Sequence, residues 1–169
     1  FVEVLKELRM KPILLAPTGR AAKVMTQMAT DTPAYTIHKR IYRQKTFADM
    51  DSFQANVNLK SHTLFIVDEA SMIANEGLSG SMFGTGRLLD DLVHFVYSCE
   101  GCRLMLVGDT AQLPPVGEEE SPALCSGMLQ GYGLNVTEIE LTEVVRQTAD
   151  SGILWNATRL RECLKDGYE

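Results

Sequence analysis

An apolar run that ends in two adjacent carboxylates limits the folds open to this chain more than any other stretch. The run Thr63–Val67 (TLFIV) is uninterrupted and rich in β-branched and aromatic residues, which is typical of a strand buried on both faces of a parallel sheet. Asp68 and Glu69 follow it, at the strand end where α/β sheets bind ligands. The sequence therefore predicts an α/β domain with an acidic pair at its ligand-binding edge.

The acidic pair suits nucleotide hydrolysis. One carboxylate can hold Mg²⁺ through its water shell, and the other can orient or deprotonate the attacking water. We assign these roles to Asp68 and Glu69 respectively. The alternative is structural, because Asp and Ser are ordinary N-cap residues and an Asp-Glu-Ala-Ser run can simply start a helix. The pair alone leaves both interpretations open.

Length and composition are those of an ordinary globular chain. Its 169 residues, 45% apolar and 22% charged, suffice for one domain with a core. We find no apolar run near the roughly 20 residues that cross a bilayer and no signal-peptide pattern, so we expect a cytoplasmic protein without a membrane partner. The net charge of -6 argues against indiscriminate coating of nucleic acid, which requires many neutralised phosphates.

Cys99 and Cys102 form a single C-x-x-C pair. A structural zinc ion needs about four ligands, and neither a second pair nor a nearby histidine supplies the other two. We therefore predict free thiols and assign no metal to them.

A second predicted strand, residues 13–16, leads through a turn into a helix that begins near Ala21. Thr18 and Arg20 lie in that turn, where the free N–H groups of a helix start favour anions such as phosphate. The alternative is a plain strand-to-helix turn with a solvated arginine.

The segment 36–43, which contains Thr36, His38 and Lys39, mixes rings with cations. We predict that it is helical. Proteins that bind single strands combine cations for the phosphates with rings for the bases, although such a charged run is more often a solvated face.

A third buried strand is predicted from Arg103 to Val107, and a polar loop, residues 108–117, follows it. Gln112 in this loop has a neutral amide that could hydrogen-bond both a terminal phosphate and the attacking water. A further strand is predicted at 138–141, and Arg146 beyond it could make a forked contact with phosphate.

The remaining segments are predicted from periodicity and composition. Residues 45–60 are interpreted as a polar surface connection, and 77–86 as a flexible glycine-rich loop that lacks the G-K-[ST] of a phosphate-binding loop. Helical spacing is found in three stretches: residues 1–8, 87–97 and 153–164.

Five segments, in this order, resemble the first motor domain of superfamily 1 DNA helicases, most closely the alpha-subunit type of exodeoxyribonuclease V and its stand-alone relatives. They are residues 17–22 (motif Ia), 36–38 (motif Ib), 67–72 (Walker B), 108–117 (motif III) and 145–147 (motif IV). The resemblance implies a RecA-like P-loop NTPase domain, a mainly parallel sheet flanked by helices. It also implies ATP hydrolysis with Mg²⁺ that drives 5′ to 3′ movement along single-stranded DNA, in recombination, repair or mobile-element transfer.

The resemblance gives each matching residue a role. Asp68 would serve Mg²⁺ through water, Glu69 the attacking water, Gln112 the terminal phosphate and its link to DNA, and Arg146 the same phosphate. The residues that would lie along the DNA are Thr18, Arg20, Thr36, His38 and Lys39.

Departures from the family pattern are equally informative. The chain contains no G-x-x-x-x-G-K-[ST] and no second motor domain. We therefore expect residues 1–169 to be a partial motor domain 1 whose sheet lacks the P-loop strand, which by the resemblance would lie between the motif III strand and the strand that ends near Leu141. We expect it to bind ATP negligibly and to hydrolyse none by itself. The acidic run Glu118-Glu119-Glu120 stands where relatives are usually glycine-rich, which argues against DNA contact immediately beyond Gly117.

Two alternatives remain open. The chain could be a non-enzymatic DNA-binding or interaction module that kept the DNA-facing motifs and lost ATP binding. It could also belong to an ATPase that acts on RNA or on a protein partner, since phosphate contacts do not read the sugar.

Overall fold

The computed structural model describes residues 2–7, 10–29, 32–44, 53–77, 81–141 and 152–165. The chain divides into two compact units, residues 1–136 and 137–169. The helices are α1 (Val2–Glu7), α2 (Gly19–Met28), α3 (Ile37–Ile41), α4 (Leu88–Tyr97), α5 (Ser126–Gly131) and α6 (Gly152–Lys165). The strands are β1 (Lys11–Ala16), β2 (Ala34–Thr36), β3 (Tyr42–Gln44), β4 (Phe53–Ala55), β5 (Thr63–Val67) and β6 (Arg103–Leu106).

The first unit is built on a parallel sheet with the order β2-β1-β5-β6. β1 pairs in parallel with both β2 and β5, and β5 pairs in parallel with β6. Strands β3 and β4 form a separate antiparallel ribbon. The predicted fold class, a mainly parallel α/β sheet flanked by helices, is confirmed. Within the part of the chain that the structure describes, β6 has one strand partner, so it lies at an edge of the sheet.

Alternation along the strands divides the core between the two faces of the sheet. Leu15, Phe65 and Val67 pack in one cluster with residues of α3 and α4, whereas Leu14 and Ile66 pack in a second cluster with Leu5 of α1. Because successive side chains of a strand point to opposite faces, the uninterrupted apolar runs of β1 and β5 are what a sheet covered on both faces requires. The predicted strands at 13–16, 63–67 and 103–107 are confirmed.

The structure corrects three predictions made between the motifs. Residues 138–141 form no strand and are exposed: a strand needs a neighbour for its backbone hydrogen bonds, and no described strand pairs with them. The predicted surface connection 45–60 contains β4 and a buried Asn58, whose amide donates to the Val96 carbonyl. The helix predicted over residues 36–43 ends at Ile41, because Tyr42 and Arg43 pair with β4 as part of strand β3. The short strand β2 was not predicted, since its three residues are too few to show a period.

The described part of the glycine-rich stretch is held by hydrogen bonds. Residues 53 and 83 form a β-bridge, and the Phe53 and Phe83 rings stack with centroids 4.7 Å apart. Gly84 has a positive φ of 48°, and a Cβ there would lie 2.1 Å from a carboxylate oxygen of Asp91. Glycine is therefore required at position 84 for both conformation and space.

The second unit contains the predicted C-terminal helix, observed as α6 (Gly152–Lys165). The Arg159 guanidinium lies 5.2 Å from the centroid of the Trp155 ring, a cation–π contact on an exposed helix surface. No helix in the described ranges is long and apolar enough to cross a membrane.

Candidate functional site

The carboxyl ends of the parallel strands bring most of the predicted site residues to one edge of the sheet. The Asp68 amide donates to the Leu15 carbonyl over 3.0 Å, and Thr36 lies in register with Ala16. The ends of β1, β2 and β5 are therefore neighbours. The 108–117 loop leaves β6 at the same edge, because β5 and β6 are parallel. Motif segments far apart in sequence thus meet there.

One residue of the acidic pair, Glu69, has an unusual backbone conformation. Asp68 and Glu69 are both half-buried, and the Asp68 side chain accepts a hydrogen bond of 3.0 Å from the Glu69 amide. Glu69 adopts the left-handed conformation, with φ 55° and ψ 40°. A residue other than glycine pays of order 1–3 kcal/mol for a sparsely populated conformation of this kind, and such strain is typical of functional sites. The conformation turns the chain sharply from β5 into the 3₁₀ turn Ala70–Met72.

The loop that carries Gln112 is tied to this turn at its start. The Ala70 amide donates to the Val107 carbonyl over 2.9 Å. A Cβ at position 108 would lie 3.0 Å from the backbone nitrogen of Ser71 and 2.9 Å from the Leu124 side chain, so glycine permits the close approach of the two segments.

Gln112 itself is exposed, and its carbonyl oxygen accepts a hydrogen bond of 3.4 Å from the hydroxyl of Ser71. Ser71 is fully buried, and its own carbonyl accepts from the hydroxyl of Ser121 over 2.9 Å. Because the Gln112 oxygen is engaged, its amide nitrogen is the group available to donate to an acceptor such as a phosphate oxygen. Neither serine was predicted. The position of Ser71 beside the acidic pair was the one available signal, and nothing in the sequence indicated Ser121.

Thr18 and Thr36 are the N-caps of two successive helices. The Thr18 hydroxyl accepts from the Ala21 amide, and the Thr36 hydroxyl from the Lys39 amide, both over 3.2 Å. A hydroxyl that accepts one hydrogen bond keeps its own hydrogen as a donor. Both half-buried caps can therefore donate to an anion at the helix start without leaving a helical amide unsatisfied.

His38 is half-buried among aromatic rings. Its ring centroid lies 5.0 Å from that of Phe83, in an edge-to-face arrangement, and 5.6 Å from that of Tyr42. Burial lowers the pKa of His38 below its ordinary value of 6.5. The ring is therefore neutral near pH 7, and it presents an apolar and hydrogen-bonding surface rather than a cation.

Two of the three predicted cations lie within the described residues. Lys39 is exposed, with its ammonium 5.8 Å from the centroid of the Tyr35 ring. Arg20 is exposed in the first turn of α2. Arg146 lies outside the described residues.

The described residues contain no group of three or more His, Cys, Asp or Glu side chains that could hold a metal ion. Mg²⁺ usually keeps several of its waters and needs only one or two carboxylates from the protein. The half-buried Asp68 at the strand end fits that smaller requirement. Of the cysteines noted in the sequence, Cys102 is a buried free thiol that donates to the Lys60 carbonyl over 2.9 Å.

Comparison with known proteins gives a match to the AAA domain family over residues 1–163. The chain is also 32% identical, over 142 residues, to the ATP-dependent RecD2 DNA helicase of Deinococcus radiodurans. That alignment covers 83% of this chain and 16% of the relative. The chain thus spans a small part of the curated relative that it matches.

Proposed function

Because this chain belongs to the AAA domain family, as a superfamily 1 helicase-like domain, we propose that it forms part of the first motor domain of an ATP-dependent DNA helicase of the exodeoxyribonuclease V alpha type. The motor moves 5′ to 3′ along single-stranded DNA in recombination, repair or mobile-element transfer, in the cytoplasm. One observation carries the proposal: the acidic pair after β5 is joined through Ser71 to the Gln112 loop, beside two helix starts capped by Thr18 and Thr36.

The loops after β5 and β6 form the nucleotide side of the proposed site. ATP with Mg²⁺ supplies the phosphoryl group and the charge neutralisation when bound. Asp68 holds a water of the ion's shell, and Glu69 accepts the proton of the attacking water. The amide of Gln112, held by Ser71, donates to the terminal phosphate. Arg146, which lies outside the described residues, is the residue that the resemblance offers for a forked contact with phosphate.

The loops after β1 and β2 form the DNA side. Thr18 and Thr36 donate their hydroxyl hydrogens to backbone phosphates at the helix starts. Arg20 and Lys39 add exposed positive charge, and the neutral His38 ring contacts a sugar or a base. Contacts of this kind position a strand without reading its sequence, as translocation along DNA requires.

We also propose that residues 1–169 alone form a partial motor domain 1 that binds ATP negligibly and does not turn it over. The loop that cradles phosphates in P-loop proteins needs G-x-x-x-x-G-K-[ST], and this motif does not occur among the 169 residues. The partners of the chain would then be single-stranded DNA and the second motor domain of the same helicase.

The test compares this chain with a version extended in its gene through a phosphate-binding loop and a second motor domain. We expect ATP hydrolysis stimulated by single-stranded DNA in the long form, reduced about 10²–10⁴-fold by Glu69→Gln, the range typical of a lost general base. Glu120→Gln, an exposed charge change of the same kind, is the matched control and should retain activity. A long form that binds single-stranded DNA but never hydrolyses ATP would contradict the motor and establish a binding module. Stimulation by oligo(U) RNA but not by oligo(dT) would reassign the substrate to RNA.

A further inference from the structure

Glu118, in the acidic run after motif III, forms hydrogen bonds with the segment that follows Asp68 and Glu69. One oxygen of the Glu118 carboxylate accepts hydrogen bonds from the amides of Asn75, at 2.5 Å, and Glu76, at 2.7 Å. Hydrogen bonds from amides to a carboxylate are stronger than those between neutral groups. The second oxygen is buried and has no hydrogen-bond partner within the described ranges. Glu118 is therefore a structural anchor rather than a solvated charge.

Glu118 fixes the far end of the Gln112 loop. The loop starts at Val107, whose carbonyl is bonded to Ala70, and ends in a turn in which the Glu118 amide donates to the Pro115 carbonyl. Gly117 has a positive φ of 92°, and a Cβ there would lie 3.0 Å from a carboxylate oxygen of Glu76. Both ends of the loop are thus bound to residues 70–76, the segment that follows Glu69.

The same segment caps helix α4. The first turn of a helix has amides without partners inside the helix, and Arg87 at the N-cap of α4 makes no capping bond with its side chain. The Ala74 carbonyl accepts from the Leu89 amide, and the Asn75 side chain from the Asp90 amide, both over 3.2 Å. Asn75 therefore joins Glu118 to the start of α4.

Tyr132 forms hydrogen bonds with both Asp90 and Asn75. Its hydroxyl donates to the Asp90 carboxylate and lies 3.3 Å from the amide nitrogen of Asn75, which donates to it. Burial, together with the hydrogen bond and charge of Asp90, raises the pKa of Tyr132 to about 12. The phenol consequently stays protonated and keeps donating at physiological pH.

Asp91, which follows Asp90 in α4, extends the connection to the DNA side. Asp91 is buried and accepts from the hydroxyl of Tyr42 over 2.6 Å. It also accepts from the amide and the hydroxyl of Thr85, over 3.0 and 2.9 Å. Tyr42 directly follows α3, and its ring contacts His38.

We propose that Glu118 is a positioning residue that couples the Gln112 loop, through Asn75 and the first turn of α4, to the DNA-facing helix α3. A displacement of the loop moves the two amides held by Glu118. Asn75 carries that movement to the start of α4, and Asp91 passes it to Tyr42 and His38. The coupling rests on the proposed function, since it links the nucleotide side of the site to its DNA side.

The test measures ATP hydrolysis by the full-length gene product with and without saturating single-stranded DNA. We expect Glu118→Ala to lower the stimulation by DNA about tenfold, within the usual range of coupling between sites. Glu118→Gln should keep most of the stimulation, because its amide oxygen still accepts from the two backbone amides. Glu120→Gln is the control for the change in charge. Equal stimulation in Glu118→Ala and the wild type would overturn the proposal.

A double-mutant cycle separates coupling from general loosening of the fold. Asn75→Ala keeps its backbone amide for Glu118 but loses the bonds to Asp90 and Tyr132. If the contacts act as one chain, Glu118→Ala with Asn75→Ala should reduce stimulation no further than either change alone. If the two changes reduce the stimulation independently, so that the double variant shows the product of the two losses, Glu118 has only a structural role.

Amide hydrogen exchange on the 169-residue chain gives a readout that needs no activity. In Glu118→Ala and Asn75→Ala we expect exchange at Leu89, Asp90 and Thr85 to accelerate together, with β1 unchanged, whereas Glu118→Gln should exchange like the wild type. Faster exchange confined to residues 75 and 76 would refute the connection to α3. If the wild-type gene product lacks DNA-stimulated hydrolysis, the proposed function fails, and this exchange pattern still decides the connection.

Discussion

The threonines proposed for the DNA side and the residues of the Gln112 loop on the nucleotide side are held by different kinds of contact. On the DNA side, Thr18 and Thr36 each bond an amide three residues further along the chain. On the nucleotide side, Gln112 and Glu118 bond residues 41 and 43 positions away. Local caps can form as soon as their helix forms, whereas the long-range bonds exist only when the whole sheet is assembled. The geometry of Gln112 therefore depends on the global fold, and the threonine hydroxyls depend mainly on their own helices.

We expect the largest loss of stability when Asp91 is replaced, because its hydrogen bonds join α4 to Tyr42 and Thr85. Asp91→Ala removes the acceptor of three hydrogen bonds and leaves the Tyr42 hydroxyl buried without its partner. We expect a loss of roughly 3 kcal/mol in the free energy of unfolding, measured in urea. Asp91→Asn, which keeps the shape and one acceptor oxygen, should fall between this variant and the wild type. A loss below about 1 kcal/mol for Asp91→Ala would show that these long-range bonds stabilise the fold no more than a local N-cap does.

The local caps should contribute less. Thr18→Ala and Thr36→Ala should each lower the free energy of unfolding by about 1 kcal/mol, the usual effect of a lost N-cap. Thr→Ser at the same positions keeps the hydroxyl and serves as the control. If either alanine variant lost as much stability as Asp91→Ala, the local caps would not be the weaker kind of contact.

His38 allows the aromatic packing on the DNA side to be tested through its titration. Because burial lowers the pKa of His38 in the folded state, the unfolded chain binds its proton more readily, and stability should decline as the pH falls below about 6.5. Phe83→Ala exposes the ring and should raise the pKa of His38 toward 6.5, as followed by NMR of the imidazole protons. A pKa that does not respond would show that Phe83 does not shield the ring.

The smallest effect on stability is expected at the exposed Lys39. Lys39→Gln should change the free energy of unfolding by less than about 0.5 kcal/mol. If its ammonium neutralises one phosphate, the slope of log affinity against log salt for oligo(dT) should become shallower by about 0.7. Lys23→Gln, an exposed cation in α2, is the matched control. An unchanged slope in the Lys39 variant would remove this residue from the DNA side.

The difference between local and long-range contacts explains which parts of the fold and the site could be predicted from the sequence. Buried strands appear as apolar runs, so β1, β5 and β6 could be predicted. The helices α2 and α3 were also predicted but without their threonine caps, and α2 begins at Gly19 rather than near Ala21. The partner of Glu118 was not, because the sequence shows a carboxylate but not which of many distant amides it meets. The mistaken strand at 138–141 has the same cause, since an alternating pattern cannot reveal whether a neighbouring strand pairs with it.

Because Glu69 has a left-handed backbone, stability and catalysis favour different residues at position 69. Glycine adopts φ 55° and ψ 40° without the steric cost that a side chain imposes. Glu69→Gly should therefore relieve on the order of 1–3 kcal/mol of strain, of which the greater freedom of glycine in the unfolded chain offsets roughly 0.5–1 kcal/mol. It also removes the carboxylate that the proposed chemistry needs. Directed evolution for heat resistance alone would accept that exchange, and a combined screen for turnover would reject it. Position 69 is thus where the fates of variants under the two selections should diverge most clearly.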